Sequence, residues 1–169
     1  MERMSTTALK ILFPLDGSDC SQRLLEWSLC ILQGHSVELY LLNVAPIIPG
    51  EYSPIDEEME NGRAILANAK AFFEKHEFNV QGADIQKATG NIANVICQYA
   101  DENKIDQIMI ASHGHTALKS LLMGSVSQDL FKKAKQPVIS FTVDPEPSIH
   151  ISHFEKNRII IPTVCVNTK

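Results

Sequence analysis

The sequence predicts an α/β protein built on a doubly wound five-stranded parallel sheet, strand order 3-2-1-4-5, with helices on both faces. Three observations carry this. Short apolar runs, KILFPL at Lys10 to Leu15 and the stretch from Asp106 to Ala111, have the form of strands buried on both faces. Segments with helical periodicity alternate with the strands, and parallel strands need such crossovers. Capping and stop residues punctuate the alternation where it changes period.

Taken in order, Lys10 to Leu15 is the first strand, and Asp16 lies just beyond it. Ser18 caps the first helix, Asp19 sits in its first turn, and Leu24, Leu25, Ser28, Ile31 and Leu32 recur at helical spacing until Gly34. Ser36 to Val44 is the second strand, followed by a turn-rich stretch containing Pro46, Pro49, Gly50 and Pro54. Asp56 to Lys75 is the second helix, with Met59, Leu66, Ala69 and Phe73 on one side. Asn79 to Ala88 alternates weakly as a third strand, and Asn91 caps a third helix whose Ile92, Val95, Ile96, Tyr99 and Ala100 face inward. Asp106 to Ala111 is the fourth strand. Ser125 and Gln128 then read as a capping box at the start of a fourth helix, with Val126, Leu130 and Ala134 as its apolar stripe. Gln136-Pro137 breaks that helix before a fifth strand, Val138 to Val143.

The 169 residues suffice for one domain with a core, and 44% hydrophobic with 21% charged is ordinary globular composition. A net charge of −5 without a basic block gives neither nucleic acid nor an anionic membrane its usual electrostatic attraction. No apolar run approaches the roughly 18 residues of a membrane span, and Met1 to Lys10 lacks a signal-peptide core, so the expected location is cytoplasmic. Cys20, Cys30, Cys97 and Cys165 show no metal-ligand or redox spacing and read as reduced structural thiols. His150 and His153 have no further ligand spacing around them, so no metal site is assigned.

With the first and fourth strands adjacent at the centre, the strand order reverses between Asp16 and the Ser112 to Gly114 loop. Ligands of doubly wound sheets sit at such a point. Strand, glycine loop and helix amino terminus follow one another from Ile108 to Lys135. That pattern suits an anion, because glycine lets backbone N–H groups face it and the helix start offers unpaired donors and a positive dipole end. No G-x-x-x-x-G-K-[S/T] occurs, which excludes a P-loop NTPase. No nucleophile, base and acid assemble by spacing, so no catalytic residue is assigned and the chain is not read as an enzyme.

ILFPLDGSDCSQRLLEWSL, LLNV, TGNIANVICQYADENKIDQIMIASHG and IMIASHGHTALKSLLMGSVSQDLFKKAKQPVISF resemble the universal stress protein family, over Lys10 to Val143. The ATP-binding branch of that family carries a loop G-2x-G-9x-G-[S/T]; here Ala111, Gly114, Gly124 and Ser125 stand at those positions, with alanine in the first glycine place. Alanine matters there only if the backbone needs φ > 0 or touches the ligand. The resemblance implies a universal stress protein domain over residues 1–143, a nucleotide cofactor, ATP or AMP, and Mg²⁺ bound mainly through its phosphates. It places Pro14, Asp16, Val44 and Ile110 around adenine and ribose, Gly114, Gly124, Ser125, Val126 and Ser127 on the phosphates, and Leu15 and Ala111 among the nucleotide-binding residues. His113 and His115 lie in the loop between the two groups, where either a phosphate contact or simple solvent exposure fits.

The implied role is a stress-response sensor or regulatory module, with an unidentified protein partner. Two alternatives stay open: an interaction module of the same fold that binds no nucleotide, and a protein that slowly hydrolyses ATP or phosphorylates itself. Val138 to Val143 is expected at a sheet edge, where the resemblance implies a homodimer. Residues 144–169 form an extension in which Arg158 to Val164 (RIIIPTV) echoes KILFPLD, and an added strand, swapped strand or truncated second repeat is expected there.

Overall fold

The computed structural model describes residues 8–47, 55–112, 124–142 and 148–151. The chain runs β1 (Leu9–Pro14), α1 (Asp19–Leu32), β2 (Val37–Pro46), α2 (Ile55–Lys75), β3 (Asn79–Ala88), α3 (Ile92–Glu102), β4 (Gln107–Ala111), α4 (Ser125–Lys133), β5 (Val138–Thr142) and β6 (Ser148–Ile151). β1 to β5 are parallel in the expected order 3-2-1-4-5, and β6 extends the sheet beyond β5.

The two faces divide by strand alternation. Ile11, Phe13, Leu39, Leu41, Met109, Ile139 and Phe141 pack with Leu24, Leu25 and Leu32 of α1 and Leu66, Ala69 and Phe73 of α2. Leu12, Leu42, Ile108, Ile110 and Val138 pack with Ala93, Ile96 and Ala100 of α3 and Leu130 of α4. Each of these inner strands is buried on both sides, which is why Ile11 to Pro14 and Ile108 to Ala111 read as continuous apolar runs.

Local signals hold at most helix ends. Ser18 caps α1 by accepting the Ser21 N–H at 3.2 Å, and Gly34 follows with φ +82°, a conformation suited to glycine. Asn91 caps α3 through the Asn94 N–H at 3.2 Å. The start of α4 departs from expectation: the cap is Gly124, not Ser125, and a glycine brings no capping side chain of its own. Ser125 already has helical geometry, one residue too far into the helix for a capping box with Gln128.

The sheet edge departs as well. β5 was expected at the edge, but β6 lies against it antiparallel, with Ile139 opposite Ile151 and Phe141 opposite Ile149. Ile149 and Ile151 pack against the α1-side core, as does Trp27, whose ring stacks on Phe141 with centroids 4.6 Å apart. Burying these two isoleucines explains why the strand returns so soon after β5. The expected extra strand at Arg158 to Val164 lies outside the described residues.

Candidate functional site

The strand order reverses between β1 and β4, and the carboxyl ends of such neighbours are where doubly wound sheets take their ligands. Pro14 ends β1 and is buried, Ile110 lies near the end of β4, and Val44, half-buried, lies near the end of β2. Alternation turns the latter two toward the α3 and α4 side, where Ile110 belongs to the core cluster and Val44 packs against it. Leu15 and Ala111 belong to the opposite cluster under α1 and α2. Ala111 is not among the described residues with positive φ, a geometry in which alanine replaces glycine without strain.

Asp16 is exposed where the chain leaves β1. Its Oδ1 accepts the Ser18 N–H at 3.0 Å, and Gly17 between them has φ +78°. The preceding residue is held on both sides. The Leu15 N–H donates to the Leu42 carbonyl at 2.8 Å, and the Leu15 carbonyl accepts from Asn43 Nδ2 at 2.8 Å.

On the other wall, the start of α4 is tied to the end of β4. The Gly124 N–H donates to the Ser112 carbonyl at 2.5 Å, and Ser127 Oγ donates to the Ala111 carbonyl at 3.1 Å. The Ser112 N–H in turn donates to the Phe141 carbonyl at 2.7 Å, and the Ser112 and Thr142 hydroxyls are hydrogen-bonded. Gly124 has φ −69° and ψ 161°, extended geometry that any residue adopts. Ser125 is exposed, Val126 half-buried and Ser127 buried. A glycine at the cap brings no side chain to the first-turn N–H groups, and the dipole of a helix start favours an anion. His113, Gly114 and His115 lie outside the described residues.

Two residues that sequence reasoning did not assign support the Asp16 turn. Asn43 is a buried polar residue near the end of β2, 7% exposed. Gly62 of α2 faces it: a Cβ at Gly62 would lie 2.6 Å from Asn43 Oδ1. The available signal was a glycine in the interior of a helical pattern, which usually marks close packing. Among the described residues no group of three or more His, Cys, Asp or Glu could hold a metal ion, and no helix is long and apolar enough to cross a membrane.

Five parallel strands with an order reversal between β1 and β4, covered by helices on both faces, define a doubly wound α/β protein, with Asp16 and the start of α4 following the two strands at that point. The chain belongs to the universal stress protein family, whose description it matches over residues 8–141. It is 29% identical over 138 residues to Universal stress protein MJ0531 of Methanocaldococcus jannaschii, covering 77% of this chain and 79% of that one. The solved structure of the M. jannaschii protein MJ0577 superposes with a TM-score of 0.67 at 26% identity, covering 81% of this chain and 97% of that chain. A family member from Arabidopsis thaliana with AMP bound shares the fold with a TM-score of 0.61 at 19% identity, over 81% of this chain and 93% of that chain.

Proposed function

We propose that the crevice between β1 and β4 binds an adenine nucleotide, ATP or AMP, and that the protein is a regulatory module of the stress response. The observation that carries the reading is the start of α4, opened by a glycine cap and fixed to the end of β4 through Gly124 and Ser127. In this reading the N–H groups of Ser125, Val126 and Ser127, with Gly114 and Gly124, hold the phosphates. Each such charge-assisted bond contributes about 1.5–3 kcal/mol, and the helix end adds about 0.3–1 kcal/mol. A few of them suffice for about micromolar affinity despite the negative charge of the protein. Pro14, Val44 and Ile110 form an apolar wall for adenine and ribose, and Asp16 accepts from ribose hydroxyls. Mg²⁺ rides on the phosphates, as it does where few protein ligands are offered. The AMP-bound relative of the same fold supports the choice of an adenine nucleotide.

The homodimer belongs to the same proposal, with one change of geometry. Because β6 lies on β5, two copies either pair through β6 or exchange it.

Gly124→Val tests the phosphate assignment. The extended backbone there accepts valine, so the variant folds, while the branched side chain stands where phosphate approaches. Calorimetric titration with Mg-ATP is expected to show binding to the wild type and none to the variant. Equal binding by the two proteins would remove Gly124 from the site.

A further inference from the structure

We propose that Asn43 is the positioning residue for Asp16, holding the turn that presents the carboxylate to the crevice. The proposal rests on the reading of that crevice as a nucleotide site. β1 ends at Pro14 while β2 continues to Pro46, so the chain leaves the ladder at Leu15. A carbonyl at that exit needs a donor once the strand has stopped. Asn43 Nδ2 supplies it at 2.8 Å, from a residue 28 positions away that is only 7% exposed. With the Leu15 N–H bonded to the Leu42 carbonyl, both backbone groups of Leu15 are fixed to β2 immediately before Asp16. The turn then closes within three residues. Gly17 takes φ +78°, the Ser18 N–H donates to Asp16 Oδ1 at 3.0 Å, and Ser18 begins α1.

The amide of Asn43 is itself held from behind. Its Oδ1 lies so close to α2 that a Cβ on Gly62 would come within 2.6 Å of it, so α2 carries a glycine where the amide docks. Val44, the next residue of β2, packs toward the α3 and α4 side while Asn43 lies on the α2 side. Adjacent residues of one strand thus serve the crevice differently: Val44 lines it, and Asn43 fixes the geometry of its opposite wall through Leu15.

The test uses the full chain and two readouts. Asn43→Leu keeps the approximate volume and removes the donor. Hydrogen exchange at the Ser18 amide, which reports its bond to Asp16, is expected to speed up about tenfold or more. The preference for ATP over 2′,3′-dideoxy-ATP is expected to fall to that of Asp16→Ala, because a displaced carboxylate no longer reads the ribose hydroxyls. A purely structural role for Asn43 would lower both affinities together and leave their ratio unchanged. If Asn43→Leu does not fold, Gly62→Ala displaces the same amide from the other side and is expected to move both readouts in the same direction. Unchanged Ser18 exchange in a folded variant overturns the proposal, and so does faster exchange with an unchanged nucleotide preference. The amide readout needs no nucleotide. A wild type that binds none therefore overturns the reading of the crevice, while Ser18 exchange still decides whether Asn43 holds the turn.

Discussion

Ser127, in the first turn of α4, donates its hydroxyl to the carbonyl of Ala111, the last residue of β4, at 3.1 Å. The hydroxyl is buried and also lies 3.4 Å from the Ser112 carbonyl, so one side chain fixes the helix start to the strand end that bounds the crevice. Ser127→Ala is expected to cost about 0.5–1.5 kcal/mol of folding stability. Its urea midpoint should fall with an unchanged m-value. A midpoint equal to that of the wild type would mean that α4 is held elsewhere.

Gly62→Ala sets two effects against each other. Helix propensity favours alanine by about 1 kcal/mol, whereas overpacking a filled site costs about 1–3 kcal/mol. The added Cβ would meet Asn43 Oδ1 at 2.6 Å, and that amide is buried and bonded to Leu15. Overpacking is expected to prevail, with net destabilisation of about 1 kcal/mol in denaturant unfolding. A stabilised Gly62→Ala would show that Asn43 moves aside freely.

Tyr99 gives the protein an alkaline limb. Burial, followed by the hydrogen bond from its hydroxyl to Asp84, pushes the phenol well above its ordinary value near 10. The native state therefore keeps a proton that the unfolded chain releases. Tyr99 contributes its full share of stability below about pH 10, and that share is lost progressively as pH rises from there through the folded-state value. Urea midpoints measured between pH 8 and pH 11, about the range spanning the tyrosine titration, should fall for the wild type and fall less for Tyr99→Phe. Parallel curves for the two proteins would assign the alkaline loss to other groups.

β6 pairs along Ile139 to Thr142 of β5 and covers that edge of the sheet. Deleting residues 143–169 removes that cover and the contacts of Ile149 and Ile151 with the α1-side core. The truncated protein is expected to self-associate in sedimentation velocity, since an open apolar edge invites strand pairing. Emission from Trp27, the only tryptophan of the chain, should shift to the red as its ring gains water. A truncated protein with unchanged emission and association state would mean that β6 does not guard the edge.

Much of this architecture was legible because its local and global signals agree. Ser18 and Asn91 cap the helices their sequence positions announce, and the buried strands read as apolar runs because helices cover both faces. The order 3-2-1-4-5 follows from placing the two most apolar strands at the centre. The capping box at Ser125 failed for a specific reason. Gly124 occupies the cap, and the S-x-x-Q pattern reads the same whether its serine is the cap or the first helical residue.

β6 was missed because Ser148 to Ile151 has only two apolar residues, and their value appears only once Trp27 and Phe141 are seen stacked beside them. Asn43 was hidden for a related reason. Within LLNV it looks like one polar residue ending a strand, and nothing local says that its amide reaches Leu15, 28 positions earlier. Ala111 is the converse case: the departure from the family loop was visible, and its ordinary backbone geometry required the fold.

The central claim concerns the crevice itself, and its most direct measurement is nucleotide bound by the purified full chain. The protein is denatured, and the supernatant is resolved by ion-exchange chromatography. A stripped sample is then titrated calorimetrically with Mg-ATP and with AMP. Adenine nucleotide is expected in the supernatant or, after stripping, saturable binding with a Kd of about micromolar order. No nucleotide in the supernatant, together with no heat of binding for either ligand, would contradict it.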